Sequence, residues 1–128
     1  MAVVKWLEKP EAHDFPAAAD YLALIADPPT VKKVTKRLRA GTVVYKKAKD
    51  ILRAAQLSLL PSDNPHVAAD LAKIKAGDPL SPILAVRGDL MTGVQLQIAD
   101  GYHRVCASYY TDENTDIPVV IAAASRNK

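Results

Sequence analysis

Residues 98–104, Ile-Ala-Asp-Gly-Tyr-His-Arg, constrain this chain more than any other stretch. An aliphatic run ends at Ala99, Asp100-Gly101 turns the backbone, and a helix-forming segment starts at once. That order demands a strand, a sharp turn and a helix in succession. Gly101 permits a positive φ or a close approach of the backbone to a ligand. The first turn of a helix carries N–H groups that lack internal partners, which makes it a natural anion site. His103 and Arg104 fall in that turn, where the helix dipole disfavours cations by a few tenths of a kcal/mol up to about 1 kcal/mol. Two basic side chains at that end are mildly costly unless an anion is bound. Asp100 has two readings: a cap for the following helix, or a general base or metal-water anchor beside a phosphate. Cys106 lies between Val105 and Ala107 on the same helix and reads as a small core residue rather than a nucleophile.

The rest of the chain supplies the partners for this unit. Asp14 and Pro16 open a helix expected to run to about Ala26, with Tyr21, Leu22 and Ile25 on its apolar face. Asp27-Pro-Pro stops it. Thr30 is placed to cap VKKVTKRLRA, which Gly41 closes. TVVY at 42–45 suits either a strand or an extended link. KKAKDILRAAQLSLL reads as a third helix with Ala48, Ile51, Leu52 and Ala55 inward, and with Lys49 and Arg53 four apart on one face. The turn PSDNP precedes a fourth helix, capped by Asn64 or Asp63 and ended by Gly77. ILAVR, VQLQIA and IPVVIAAA are strands, RGDLMTG is a loop, and SRNK is a frayed tail. The result is one small domain, α/β or α+β by its element order.

Composition narrows the functions. With 49% apolar and 24% charged residues the chain is globular in character. Aromatics at 5% argue against a surface built of stacked rings. The formal net charge is only +3, yet nine of the seventeen Lys and Arg fall between Lys32 and Arg53, with Asp50 the only acid among them. That stretch is either a positive field for phosphates, nucleic acid included, or a solvated helix face. One cysteine excludes an internal disulfide, and three widely spaced histidines show no metal-ligand spacing. No apolar run suits a membrane span, and the opening MAVVKWLEKPEAHD is too short and too charged for a signal peptide, so a cytoplasmic location is expected.

The stretch from Leu57 to about Ala122 resembles the ParB/sulfiredoxin-like domain. NPHVAADLAKIKAGDPLSPILAVR followed by VQLQIADGYHRVCASYY matches that domain in order and spacing: an Asn-Pro turn, a helix, a Gly, a Pro-Ile strand ending in Val-Arg, a second strand, then a phosphate-binding turn and helix. The resemblance implies an α+β fold, a small mixed sheet packed with helices over 57–124, here with a helical N-terminal extension over 1–56 and the tail 125–128. The turn departs from each known branch. Partition proteins carry Gly-Glu-Arg-Arg there and bind CTP. Sulfiredoxins carry Gly-Gly-Cys-His-Arg; Gly101, His103 and Arg104 keep that frame, but Tyr102 stands at the catalytic cysteine. Free-serine kinases carry Asp-Gly-His-x-Arg; Asp100, Gly101 and Arg104 match, and the histidine is displaced by one.

The resemblance implies binding of ATP or another nucleotide, with Mg²⁺, or of a phosphorylated small molecule, and small-molecule phosphotransfer as the activity. Asp100 and His103 are the candidate catalytic residues. Gly101, Tyr102, His103 and Arg104 would hold phosphates, Lys49 and Arg53 would reach them from the third helix, and Ser81 would contact base or ribose. The alternative is a nucleic-acid-associated or regulatory scaffold protein with a non-catalytic pocket.

Overall fold

The computed structural model describes residues 3–124. The elements run α1 (Asp14–Leu22), α2 (Pro28–Ala40), β1 (Val43–Lys47), α3 (Ala48–Ala55), α4 (Pro65–Ala76), β2 (Ile83–Val86), β3 (Gln97–Asp100), α5 (Tyr102–Thr111) and β4 (Asp116–Ala122). The strands form one mixed sheet in the order β1-β4-β2-β3. β4 runs parallel to β2, while the β1–β4 and β2–β3 pairs are antiparallel. The fold is α+β, one of the two classes that the element order allows.

The aliphatic strand runs follow from burial on both faces of the sheet. Side chains alternate sides along a strand. Ile83, Ala85, Ile98, Ile117 and Val119 pack beneath α3, α4 and α5. Leu84, Val86, Ala99, Val120 and Ala122 pack against α1 and α2 on the other side. Ile83 and Ile117 are fully enclosed, so truncating either to alanine costs about 2–5 kcal/mol. Trp6 bridges to Leu80, with the Leu7 N–H on the Leu80 carbonyl at 2.8 Å, and this ties the N-terminal segment beside the start of β2.

Several boundaries differ from the sequence expectation. The region 1–56 is not only helical, because TVVY and the lysines after it become β1, an edge strand of the sheet. The third helix therefore begins at Ala48 and ends at Ala55, where Gln56 takes the left-handed conformation at φ 55°. Leu57 to Leu60 is irregular and accepts hydrogen bonds from two tyrosines of α5, Tyr102 on the Ser58 carbonyl and Tyr110 on the Leu60 carbonyl. Asp27, not Thr30, caps α2: its carboxylate accepts the Thr30 N–H at 3.0 Å, and Pro28 fills the first helical position, where no N–H is needed. α1 stops at Leu22 rather than Ala26, and Asp14 lies inside its first turn and is buried rather than capping it. Asn64 caps α4 through the His66 and Val67 N–H groups, and Gly77 closes it at φ 82°. β3 is shorter than VQLQIA; Val94 instead pairs with Asp89 to close the loop that carries Arg87-Gly-Asp. The expected tail, SRNK, lies outside the described residues. No helix among them is long and apolar enough to cross a membrane.

Candidate functional site

β3 ends and α5 begins at the floor of a cleft of about 390 Å³. Its walls are the start of α1 with the preceding Glu11 and His13, one face of α4, and the Pro79–Ser81 segment before β2. Gly101 makes the corner possible. Its φ is +115°, which side-chain-bearing residues rarely adopt. A Cβ there would also sit 2.3 Å from the Ile83 Cδ1 and 3.0 Å from the Arg104 guanidinium. The glycine therefore lets Arg104 fold back over the turn.

Asp100 does not cap α5. Gly101 holds the cap position, and no side chain bonds the first amides of the helix. The Asp100 carboxylate is instead drawn to Arg104, whose Nη2 donates to Oδ2 at 2.6 Å across one helical turn. Arg104 Nη1 also lies 3.8 Å from Asp14 Oδ1. The three side chains are 14%, 19% and 3% exposed for Arg104, Asp100 and Asp14, so they form a buried carboxylate–guanidinium–carboxylate cluster. A buried charge of this kind persists only with full hydrogen bonding. Asp14 is bonded at one oxygen, where Oδ2 accepts the Glu11 N–H at 2.9 Å and the Ser81 hydroxyl, while Oδ1 lies in ion-pair range of His13 Nε2 at 3.4 Å and Arg104 Nη1 at 3.8 Å. Ser81 thus lines the cleft, but its hydroxyl holds Asp14. Burial pushes the Asp100 carboxyl up; Arg104 opposes this and the neighbouring Asp14 adds to it.

The opposite wall is α4. His66, Asp70 and Lys73, at i, i+4 and i+7, face the cleft from one side of that helix. The His66 ring stands 4.8 Å from the His103 ring, tilted by 46°. All three histidines of the chain, His13, His66 and His103, line this one cleft. Burial and then His66 push the His103 imidazole down, with Asp70 partly offsetting them. Burial pushes the Asp70 carboxyl up against the pull of Arg104, Lys73, His103 and His66.

Of the residues singled out in the sequence, Ser81, Asp100, Gly101, His103 and Arg104 come together here. Tyr102 does not line the cleft. Its hydroxyl donates to the Ser58 carbonyl at 2.6 Å, which pins the ring along the α5 wall. Lys49 and Arg53 are also elsewhere, in a surface hollow with Lys47 and Asp50, where Arg53 pairs with Asp50 at 3.2 Å. The helix face explains this separation: α3 turns Ala48, Ile51, Leu52 and Ala55 to the core, which leaves Lys49 and Arg53 exposed on its outer side. The rest of the basic stretch is partly spent on structure. Arg37 donates to the Ala123 carbonyl at 3.0 Å, and Arg39 lies 5.1 Å from the Phe15 ring centre. Cys106 is buried in the core, and burial pushes its thiol up.

Sequence reasoning missed Asp14, His66, Asp70 and Lys73. The α4 trio was visible as a repeat at helical spacing. Asp14 gave no such signal, because a residue before Phe-Pro reads as a cap. No group of three or more His, Cys, Asp or Glu among the described residues is placed to hold a metal ion. No protein-family model, curated protein or solved structure matches this chain.

Proposed function

We propose that the cleft binds a phosphate-bearing ligand, a nucleotide or a phosphorylated small molecule, in the manner of the ParB/sulfiredoxin-like proteins that the Asp100–Arg104 turn resembles. One observation carries this reading. The amino end of α5 opens into the cleft with no side chain capping it, and His66, Lys73, His103 and Arg104 stand around it. Uncapped amides at a helix start, with the dipole behind them, favour an anion. A cleft of about 390 Å³ is within the range that holds small ligands.

A resident Mg²⁺ does not fit the residues present. The carboxylates of Asp14 and Asp100 are engaged by Arg104, Ser81 and the Glu11 amide. No step is therefore assigned to a metal. In its catalytic form the reading is phosphoryl transfer to a hydroxyl. The acceptor oxygen forms the new P–O bond, its proton passes to Asp100, and the bond to the leaving phosphate oxygen breaks. His103, Arg104 and the α5 amides hold the charge that develops. Burial, by raising the affinity of Asp100 for a proton, suits it to the role of base.

The test is a thermal-shift and calorimetric screen of ATP, CTP, GTP, ADP, phosphate and sulfate, with and without Mg²⁺. A ligand at a hundredfold excess over Kd adds about 2.7 kcal/mol to stability. A shift with at least one of them, weakened tenfold or more in Kd by His103→Ala and by Lys73→Ala, is the expected result. A protein that responds to none of them, or whose response ignores both substitutions, refutes the assignment.

A further inference from the structure

The charges lining the cleft do not suit an anion as they stand. Four carboxylates, Glu11, Asp14, Asp70 and Asp100, face two permanent cations, Lys73 and Arg104. The histidines aside, these charged side chains sum to two net negative charges. A phosphate dianion entering that field is repelled unless positive charge arrives with it. The histidines are the groups able to supply it near neutral pH.

We propose that His66 and His103, with Lys73, seat a terminal phosphate, the doubly charged group of a phosphomonoester or nucleotide, and that this seat takes up a proton as it fills. The inference rests on the phosphate-ligand reading above and assigns its subsite and ligand class. His66 and Lys73 reach in from α4, two turns apart, and His103 faces them from the first turn of α5 beside its free amides. Three side-chain donors from two helices match a group with three terminal oxygens better than a diester with two. The two rings at 4.8 Å cannot both hold a proton cheaply in the empty cleft, because like charges at that range repel. An anion that accepts hydrogen bonds from the edges of both rings offsets that penalty. Asp70, between His66 and Lys73 on the α4 face, is the carboxylate partner of the imidazolium that forms.

Other titratable groups face this seat and shape its pH response. From α5 this is Arg104; Tyr102, outside the cleft, has its ring 5.8 Å from that of His103. From β3 it is Asp100, and from the segment at the start of α1 they are Glu11, His13 and Asp14. Arg104 is already shared between Asp14 and Asp100, so it adds little free positive charge. Protonation of the histidine pair is the remaining source.

Sulfate is the probe that isolates this effect, because it stays doubly charged from pH 5.5 to 8.5. Titration calorimetry of the full chain with sulfate, repeated in buffers of different protonation heat, counts the protons taken up. The expected result is a proton uptake near one per sulfate and an affinity that rises about tenfold per pH unit as pH falls through the histidine range. His66→Asn and His103→Asn each flatten that slope, and methyl phosphate binds at least tenfold tighter than dimethyl phosphate at pH 7. Sulfate binding with no proton uptake and no pH slope overturns the subsite while the phosphate reading stands. Failure of sulfate, methyl phosphate and the nucleotides to bind at any pH overturns both. The proton count on the wild-type chain decides the matter even where a histidine variant does not fold.

Discussion

Replacing Arg104 by methionine tests the buried cluster most directly. Methionine keeps an unbranched side chain of similar reach and removes only the guanidinium. Asp14 and Asp100 then face each other with no cation between them. An exposed ion pair would contribute about 0–1 kcal/mol. These three side chains are only 14%, 3% and 19% exposed, so the relevant figure is that for a broken buried pair, about 3–5 kcal/mol. For a chain of 128 residues that lowers the melting temperature by roughly 10–20 °C.

The pH dependence follows from the direction of the Asp100 shift. Its folded-state pKa is raised above the unfolded value of about 3.9. Its contribution to stability is therefore complete below that value and declines as pH rises through the folded pKa. Arg104 offsets part of that decline. Without Arg104 the decline deepens, so the gap between Arg104→Met and wild type is small near pH 4 and reaches its full size by pH 7.5. Adding Asp100→Asn to the variant removes one of the stranded charges and recovers about half of the loss. Urea denaturation at pH 4.5 and 7.5 measures each quantity. A loss below about 1 kcal/mol at pH 7.5, or a gap that does not shrink on acidification, refutes the cluster as described.

Other substitutions probe separate claims. Gly101→Ala, with a Cβ at φ +115° and 2.3 Å from the Ile83 methyl, lowers stability by about 2–4 kcal/mol in urea denaturation. The double variant Lys49→Ala/Arg53→Ala leaves ligand affinity in the cleft within twofold of wild type by calorimetry, since both residues lie in another hollow. Cys106 is enclosed and its thiol is pushed up by burial, so an aromatic disulfide reagent labels it only at the rate of unfolding. Labelling of the native protein within seconds would place that thiol at the surface instead.

Local chemistry was legible in the sequence wherever one residue and its near neighbours set the outcome. Asp100-Gly101 between an aliphatic run and a helix former allows little but a strand, a left-handed corner and a helix start, and β3, Gly101 and α5 follow that order. Asn64 before Pro65 and Gly77 after Ala76 bound α4 because capping and left-handed closure act over a few residues. The same short range explains the errors. Asp14 resembles a cap by its neighbours, yet it is claimed by Ser81, 67 residues away. Val43 to Tyr45 suit a strand or an extended link by their own preference, and Lys46 and Lys47 read as helix; all five become a strand because the edge of β4 is there to pair with them.

What the sequence determined by itself is therefore the parts: aliphatic runs that must be buried on both faces, and a turn that places His103 and Arg104 at a helix start. Only the tertiary structure decided which parts meet. Packing of α3 beneath the sheet through Ala48, Ile51, Leu52 and Ala55 leaves Lys49 and Arg53 on its exposed face, in a surface hollow apart from the turn. Packing α4 beside α5 and the start of α1 over β3 gathers Asp14, His66, Asp70, Lys73, His103 and Arg104 into one cleft. Strand order and helix packing are settled by contacts between distant segments. The charge on Arg104, legible as a free phosphate grip in the sequence, is for that reason shared with Asp14 and Asp100 in the fold.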